Sequence, residues 1–209
     1  MGTRARRHTG LVQRGEREAE RTCLFVCTAN ISRSPYAERR ASRLAPSAGI
    51  RWASAGIPGL AGHAMDPMMA EQLAARGGSG LGHTSRELTA ELVSGADLIL
   101  TAAFAHELAI EAAWPTVGAG KIVTLGRFAA AVRGSAPGAD LPDLLAAASA
   151  LPGGMAWDVA DPYGRGARVA RRCAEEIDAH LAAIVPALTG RPAPAQPAPP
   201  ARRRWRWRS

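Results

Sequence analysis

From about residue 21 to residue 189, short apolar runs alternate with stretches whose apolar positions recur at helical spacing. That alternation is the signature of βαβ units and a parallel sheet. The run CLFVC at 23–27 is continuously apolar, and 97–101 (DLILT) and 121–125 (KIVTL) read the same way. A shorter, half-buried strand is expected at 50–54. Helices fit the intervals 34–44, 67–76, 103–113 and about 168–188. Asp66 before Pro67 predicts an N-cap, because a carboxylate accepts the first free N–H groups while Pro sits comfortably at the first helical position. Right-handed crossovers place these helices on both faces of a small doubly wound sheet, with ligand outside the carboxyl ends of the strands. Residues 129–157 fit less well. The stretch 134–138 is loop-like and 141–151 reads as an Ala/Leu helix, so the segment is expected to be an insertion or a lid-like element.

Composition sharpens this picture at the ends. The 209 residues, 47% of them hydrophobic, suffice for one domain with a real core. Residues 1–20 are polar, rich in Arg and Glu and without apolar periodicity, as expected of a disordered extension, so the folded domain is taken as 21–189. The tail, 190–209, begins as a Pro/Ala spacer and finishes in RRRWRWRS. The net charge of +8 belongs to these ends: +3 sits in residues 1–22 and +6 in 190–209, leaving −1 for the body. The body thus offers no excess of charge to a nucleic-acid backbone. The Arg/Trp tail itself reads as a solvated basic extension, or else as a weak contact for anionic membrane or nucleic acid. No run approaches the roughly 18 apolar residues of a membrane span. Three cysteines form no even framework, which together with the polar N-terminus points to free thiols and a cytoplasmic setting.

The sharpest chemical feature is Cys27-Thr28-Ala29-Asn30-Ile31-Ser32-Arg33-Ser34-Pro35, which follows the first strand and opens the first helix. Five residues between Cys and Arg let the backbone curl so that its N–H groups converge on a tetrahedral dianion, and the helix dipole favours the same charge. This setting favours a thiolate, which makes Cys27 the nucleophile. Arg33 supplies a planar, permanently charged fork for two phosphoryl oxygens. Ser34 can donate its hydroxyl to the cysteine sulfur. Cys23, inside the strand, reads as an ordinary buried residue.

CLFVCTANISRSP near the start, together with Asp161-Pro162-Tyr163 before the last helix, resembles the low-molecular-weight protein tyrosine phosphatases. Further motifs follow in that family's order: Ser54-Ala55-Gly56-Ile57, Met65-Asp66-Pro67 and His83-Thr84-Ser85-Arg86. The resemblance implies a flavodoxin-like α/β fold of three layers with a four-stranded parallel sheet of order 2-1-3-4. It also implies two-step phosphate-ester hydrolysis without metal or cofactor, acting on a tyrosine-phosphorylated protein or a small aryl phosphate. Cys27 would attack phosphorus while Asp161 protonates the departing oxygen, leaving a phosphocysteine for water to cleave. Asp158 is the nearest competitor to Asp161, but only Asp161 precedes Pro-Tyr. Tyr163 reads equally as a pocket wall or as ordinary packing. Asn30, Ser54 and His83 match positions that tie the phosphate loop to its neighbours, with Asn30 left-handed and its amide held by Ser54 and His83.

The chain departs from that family at several places. Ala29 stands where Gly is usual, and Ser32 where many members carry a second cysteine, so oxidised Cys27 lacks a neighbouring thiol to rescue it. Ala102-Ala103 replaces Met-Asp after the third strand. Gly164 and the stretch 57–63 lack aromatic side chains, which predicts a wider, less selective pocket. Two other activities stand beside the phosphatase reading. Arsenate reduction on the same fold needs resolving cysteines, for which only Cys23 and Cys173 are available. The other is a phosphotyrosine- or oxyanion-binding protein with weak turnover.

Overall fold

The computed structural model of the chain describes residues 21–46 and 49–190. The expected extension at 1–20 and the tail at 191–209 lie outside the described residues. Four strands, β1 (Arg21–Cys27), β2 (Ile50–Gly56), β3 (Leu98–Thr101) and β4 (Ile122–Thr124), form one sheet of order β2-β1-β3-β4. All three pairings are parallel, with Cys27 opposite Gly56 and Val26 opposite both Ala55 and Thr101. The expected sheet order is thus observed. Alternation along β1 explains why its sequence is apolar throughout. Cys23 and Phe25 join one core cluster and Leu24 and Val26 the other, so both faces of the strand are covered.

The helices divide between these faces. The larger cluster is closed by α1 (Arg33–Leu44), α2 (Pro67–Ala74), α5 (Leu125–Gly134), α6 (Leu141–Ala150) and α7 (Ala167–Thr189). The smaller lies under α3 (Ala90–Ser94) and α4 (Phe104–Ala113), through Val93 and Ile110. In α7, Ala170, Cys173, Ala174, Ile177, Leu181, Ile184 and Val185 recur at three and four residues and are all buried. Asp178, on the same helix, accepts from Arg40 Nε at 2.9 Å, Arg76 Nε at 2.6 Å and Tyr36 Oη at 3.1 Å. That knot fixes α1, whose first turn holds Arg33, against α7.

Several boundaries differ from the sequence expectation for local reasons. β1 starts at Arg21 and β2 runs to Gly56, because backbone pairing extends them past their apolar centres. β4 stops at Thr124, where the chain turns directly into α5, a helix the alanine-rich sequence did not announce. Its buried Leu125, Phe128, Ala129 and Ala131 show why the helix forms. The segment expected as an insertion or lid-like element, 129–157, begins inside this helix. Residues 129–134 complete α5, and α6 buries Leu144 and Ala148 in the core. The segment closes the α5 side of the domain because its small apolar positions have core to cover. Asp66 caps α2 as expected, accepting from Met69 N at 3.0 Å.

Candidate active site

Residues 27–33 form the turn between β1 and α1, at the carboxyl edge of the sheet. Ser32 is the N-cap of α1 but offers no capping side chain, and its buried Oγ has no partner among the described residues. The N–H groups of Ala29, Asn30, Ile31 and Ser32 find no acceptor among the described residues. Unpaired donors gathered at a helix N-terminus make an anion site, because they and the helix dipole both stabilise negative charge.

The turn is held from behind by its neighbours. Asn30 takes φ of 57°, the left-handed conformation expected for it. Its amide donates to Ser54 Oγ at 2.8 Å and Ser34 Oγ at 3.0 Å, and its Oδ1 accepts from Arg86 N at 3.0 Å. His83 plays a different part from the one expected. Its Nε2 donates to the main-chain oxygen of Asn30 at 2.7 Å, because the imidazole approaches the turn from its backbone side. Ser54 in turn donates to Glu38 Oε2 at 2.5 Å. Arg86 and Glu38, missed as functional residues, complete this bracing.

Gly56, within the Ser54-Ala55-Gly56-Ile57 motif, lies against the backbone of the turn. A Cβ there would lie 2.6 Å from the Thr28 carbonyl oxygen and 2.9 Å from Ala29 C and Asn30 N. The close approach lets Ile57 N and Gly59 N donate to the Cys27 and Thr28 carbonyls, each at 2.9 Å. Gly56→Ala is therefore expected to displace the turn and reduce kcat/KM for phenyl phosphate about 10²-fold, since small misplacements at a reacting centre are costly. Kinetics set beside thermal unfolding check this, and unchanged kinetics in the folded variant would contradict it.

Cys27 Sγ lies 3.0 Å from Ser34 Oγ. Arg33 is buried, with Nη1 donating to the Val159 carbonyl at 3.1 Å and Nη2 to Asp161 Oδ2 at 2.9 Å. Its Nε has no partner among the described residues. Asp161 is half exposed, and its Oδ1 accepts from Tyr163 N at 3.2 Å. Asp158 is engaged elsewhere and is not simply solvated. It accepts from Phe104 N at 2.7 Å and so supplies the cap that Ala103 cannot give α4.

Cys27, Thr28, Ala29, Ile31, Ser32, Arg33, Leu60, Asp161 and Tyr163 line one cavity of about 180 Å³. Tyr163, 62% exposed, stands on its rim rather than in the core. Ser54 and His83 lie behind the turn and do not line the cavity. None of the lining residues belongs to 129–157.

His106 is the most consequential residue that the sequence reading passed over. It sits in the first turn of α4, buried, with Nε2 2.9 Å from Thr28 Oγ1. Burial first, and then Arg33, push its pKa down to about 4, against Asp158 and Asp161 acting the other way. Its place just beyond the carboxyl end of β3 was the available signal, since that edge is where such sheets bind ligands. The other two thiols are poor nucleophiles. Burial raises Cys23 far above the ordinary thiol range and Cys173 to about 12. Among the described residues, no group of His, Cys, Asp and Glu side chains is placed to hold a metal ion.

The model of the low molecular weight phosphotyrosine protein phosphatase family matches residues 22–147, more than half of the chain. The low molecular weight protein-tyrosine-phosphatase Etp of Escherichia coli (strain K12) is 40% identical over 105 residues, 50% of this chain and 69% of Etp. Among solved structures, the low molecular weight protein tyrosine phosphatase from T. tengcongensis superposes with a TM-score of 0.63 at 29% identity. It covers 80% of this chain and 99% of its own. A mutant of the arginine phosphatase YwlE, with a phosphorylated active-site serine, gives a TM-score of 0.62 at 25% identity over 78% of this chain and 93% of its own. The sheet order, the Cys27–Arg33 turn and these likenesses agree: the chain belongs to the low molecular weight phosphotyrosine protein phosphatase family.

Proposed function

We propose that the protein hydrolyses phosphotyrosine and other aryl phosphate monoesters through a phosphocysteine at Cys27. The observation that carries this reading is the convergence of Cys27, Arg33 and Asp161 on one cavity. Its remaining walls include Ile31, Leu60 and Tyr163, which suit a flat apolar leaving group. The Cys27 thiolate attacks phosphorus, and the bond from phosphorus to the aryl oxygen breaks as Asp161 gives that oxygen its proton. Ionised Asp161 then takes a proton from water as the water oxygen attacks phosphorus. The sulfur–phosphorus bond breaks, and the Ser34 hydroxyl, 3.0 Å from Sγ, turns its proton from the Ala55 carbonyl to the departing thiolate. Orthophosphate leaves. Because Arg33 Nη2 serves both Asp161 and the incoming phosphoryl oxygens, substrate binding loosens the ion pair and frees the Asp161 carboxyl for the leaving oxygen.

The likeness to YwlE raises phosphoarginine as a second substrate class. A phosphoarginine side chain would bring a polar guanidino group against largely apolar walls, where Asp161 is the single carboxylate among the lining residues and is already paired with Arg33. Aryl esters are the better fit. Arsenate reduction lacks a second thiol that ionises readily, since both alternatives are buried and raised. Three buried free cysteines fit a reducing, cytoplasmic setting. No helix among the described residues is long and apolar enough to cross a membrane.

Comparing kcat/KM for a phosphotyrosine peptide, a phosphoserine peptide and phosphoarginine tests the assignment. The aryl ester is expected to lead, and a lead for phosphoarginine would overturn the substrate class. Asp161→Ala is expected to lower kcat about 10²-fold for phenyl phosphate, the usual scale of general acid catalysis. The loss should shrink for nitrophenyl phosphate, whose oxygen leaves without a full proton. Equal losses on the two esters would remove Asp161 from the acid role.

A further inference from the structure

We infer that His106 is a positioning residue for the phosphate turn, holding Thr28 by its hydroxyl so that Thr28 and Arg33 stay aligned for the phosphoryl group. The inference rests on the phosphatase reading and concerns a residue outside the Cys-x5-Arg segment. Thr28 is the first residue after the nucleophile and lines the cavity. Its Oγ1 lies between His106 Nε2 at 2.9 Å and Arg33 Nη2 at 3.4 Å. Arg33 can only donate, so the hydroxyl oxygen accepts from it, and the hydroxyl keeps a second lone pair and its proton with which to bond His106 Nε2 in either tautomer. Burial and the cationic neighbour keep the imidazole neutral at physiological pH, so no second charge competes with Arg33 for the phosphoryl group.

The turn is thereby gripped by imidazoles at two points, Asn30 O by His83 and Thr28 Oγ1 by His106. A residue serving only to fill space would be apolar here, since burying an imidazole whose Nδ1 has no partner among the described residues is costly. His106 also binds the turn to a second site element. The amide of Phe104, two residues earlier, is capped by Asp158, which begins the short connection to Asp161. Loop and general acid are therefore both registered against the start of α4.

Wild type, His106→Ala, His106→Gln, Thr28→Val and Thr28→Val/His106→Ala should be compared in kcat, KM and the inhibition constant of orthophosphate, alongside thermal unfolding. His106→Ala is expected to lower kcat/KM and weaken orthophosphate each about tenfold, the scale of one aligned hydrogen bond. His106→Gln, whose amide carries an acceptor oxygen, should recover much of both. The double variant should be no worse than Thr28→Val alone. Kinetic constants within twofold of wild type for His106→Ala, or losses that add in the double variant, would overturn the inference. If His106→Ala does not fold, His106→Gln and Thr28→Val still decide it, since an active Thr28→Val with wild-type orthophosphate affinity also overturns it. Absence of Cys27-dependent turnover in wild type would instead sink the phosphatase reading.

Discussion

Arg33→Lys is expected to reduce kcat/KM for phenyl phosphate about 10³-fold while the protein stays folded. Arg33 is oriented by one nitrogen on the Val159 carbonyl, which leaves the rest of the fork for oxygens over the turn. A lysine ammonium is a single charge centre on a flexible stem and cannot hold that carbonyl while spanning two phosphoryl oxygens. It also lacks the geometry that lets one group serve Asp161 at rest and phosphate during reaction. Orthophosphate should bind correspondingly worse. Steady-state kinetics, orthophosphate inhibition and circular dichroism check the prediction, and activity within tenfold of wild type would contradict the clamp.

Cys27→Ser should lower turnover to the uncatalysed background, a larger effect still. A serine hydroxyl is almost wholly protonated at neutral pH, and among the described residues the side chain at 27 is hydrogen-bonded to the Ser34 hydroxyl rather than to a base. Orthophosphate should still bind, since the turn's N–H groups and Arg33 remain. Cys173→Ala separates this effect from general thiol loss. Cys173 is buried in α7 and ionises only at high pH, so its removal should leave turnover near wild type. Residual hydrolysis by Cys27→Ser at more than a small fraction of the wild-type rate would point to a different nucleophile.

How much of this was legible in the sequence follows from what each feature depends on. CLFVC followed by Cys-x5-Arg-Ser is local, and strand, turn and helix start fall within a residue or two of expectation because hydrophobic pattern and turn chemistry agree there. Asn30 could be placed in the left-handed region from its type and position alone. Features that depend on how two elements approach each other were not legible. His83 reaches the carbonyl of Asn30 rather than its amide, and Asp158 caps a helix more than fifty residues earlier in the chain. Gly56 matters through the distance between two backbones. α6 was legible as the Ala/Leu helix at 141–151, whereas α5 follows β4 with no intervening turn residue and so carried no start signal. His106 belongs with His83, Asp158 and Gly56, because its role depends on α4 bringing it to Thr28, 78 residues away in sequence.

Trapping the intermediate tests covalent catalysis at Cys27. Asp161→Ala should be mixed with an excess of nitrophenyl phosphate, quenched within milliseconds to seconds and digested for mass spectrometry. Loss of the residue that activates water slows the second step, so phosphate is expected on the peptide carrying Cys27, attached to sulfur and absent from the Cys27→Ser/Asp161→Ala control. Phosphate on another residue, or unimpaired turnover in Cys27→Ser with no phosphate on Cys27 at any quench time, would contradict the account.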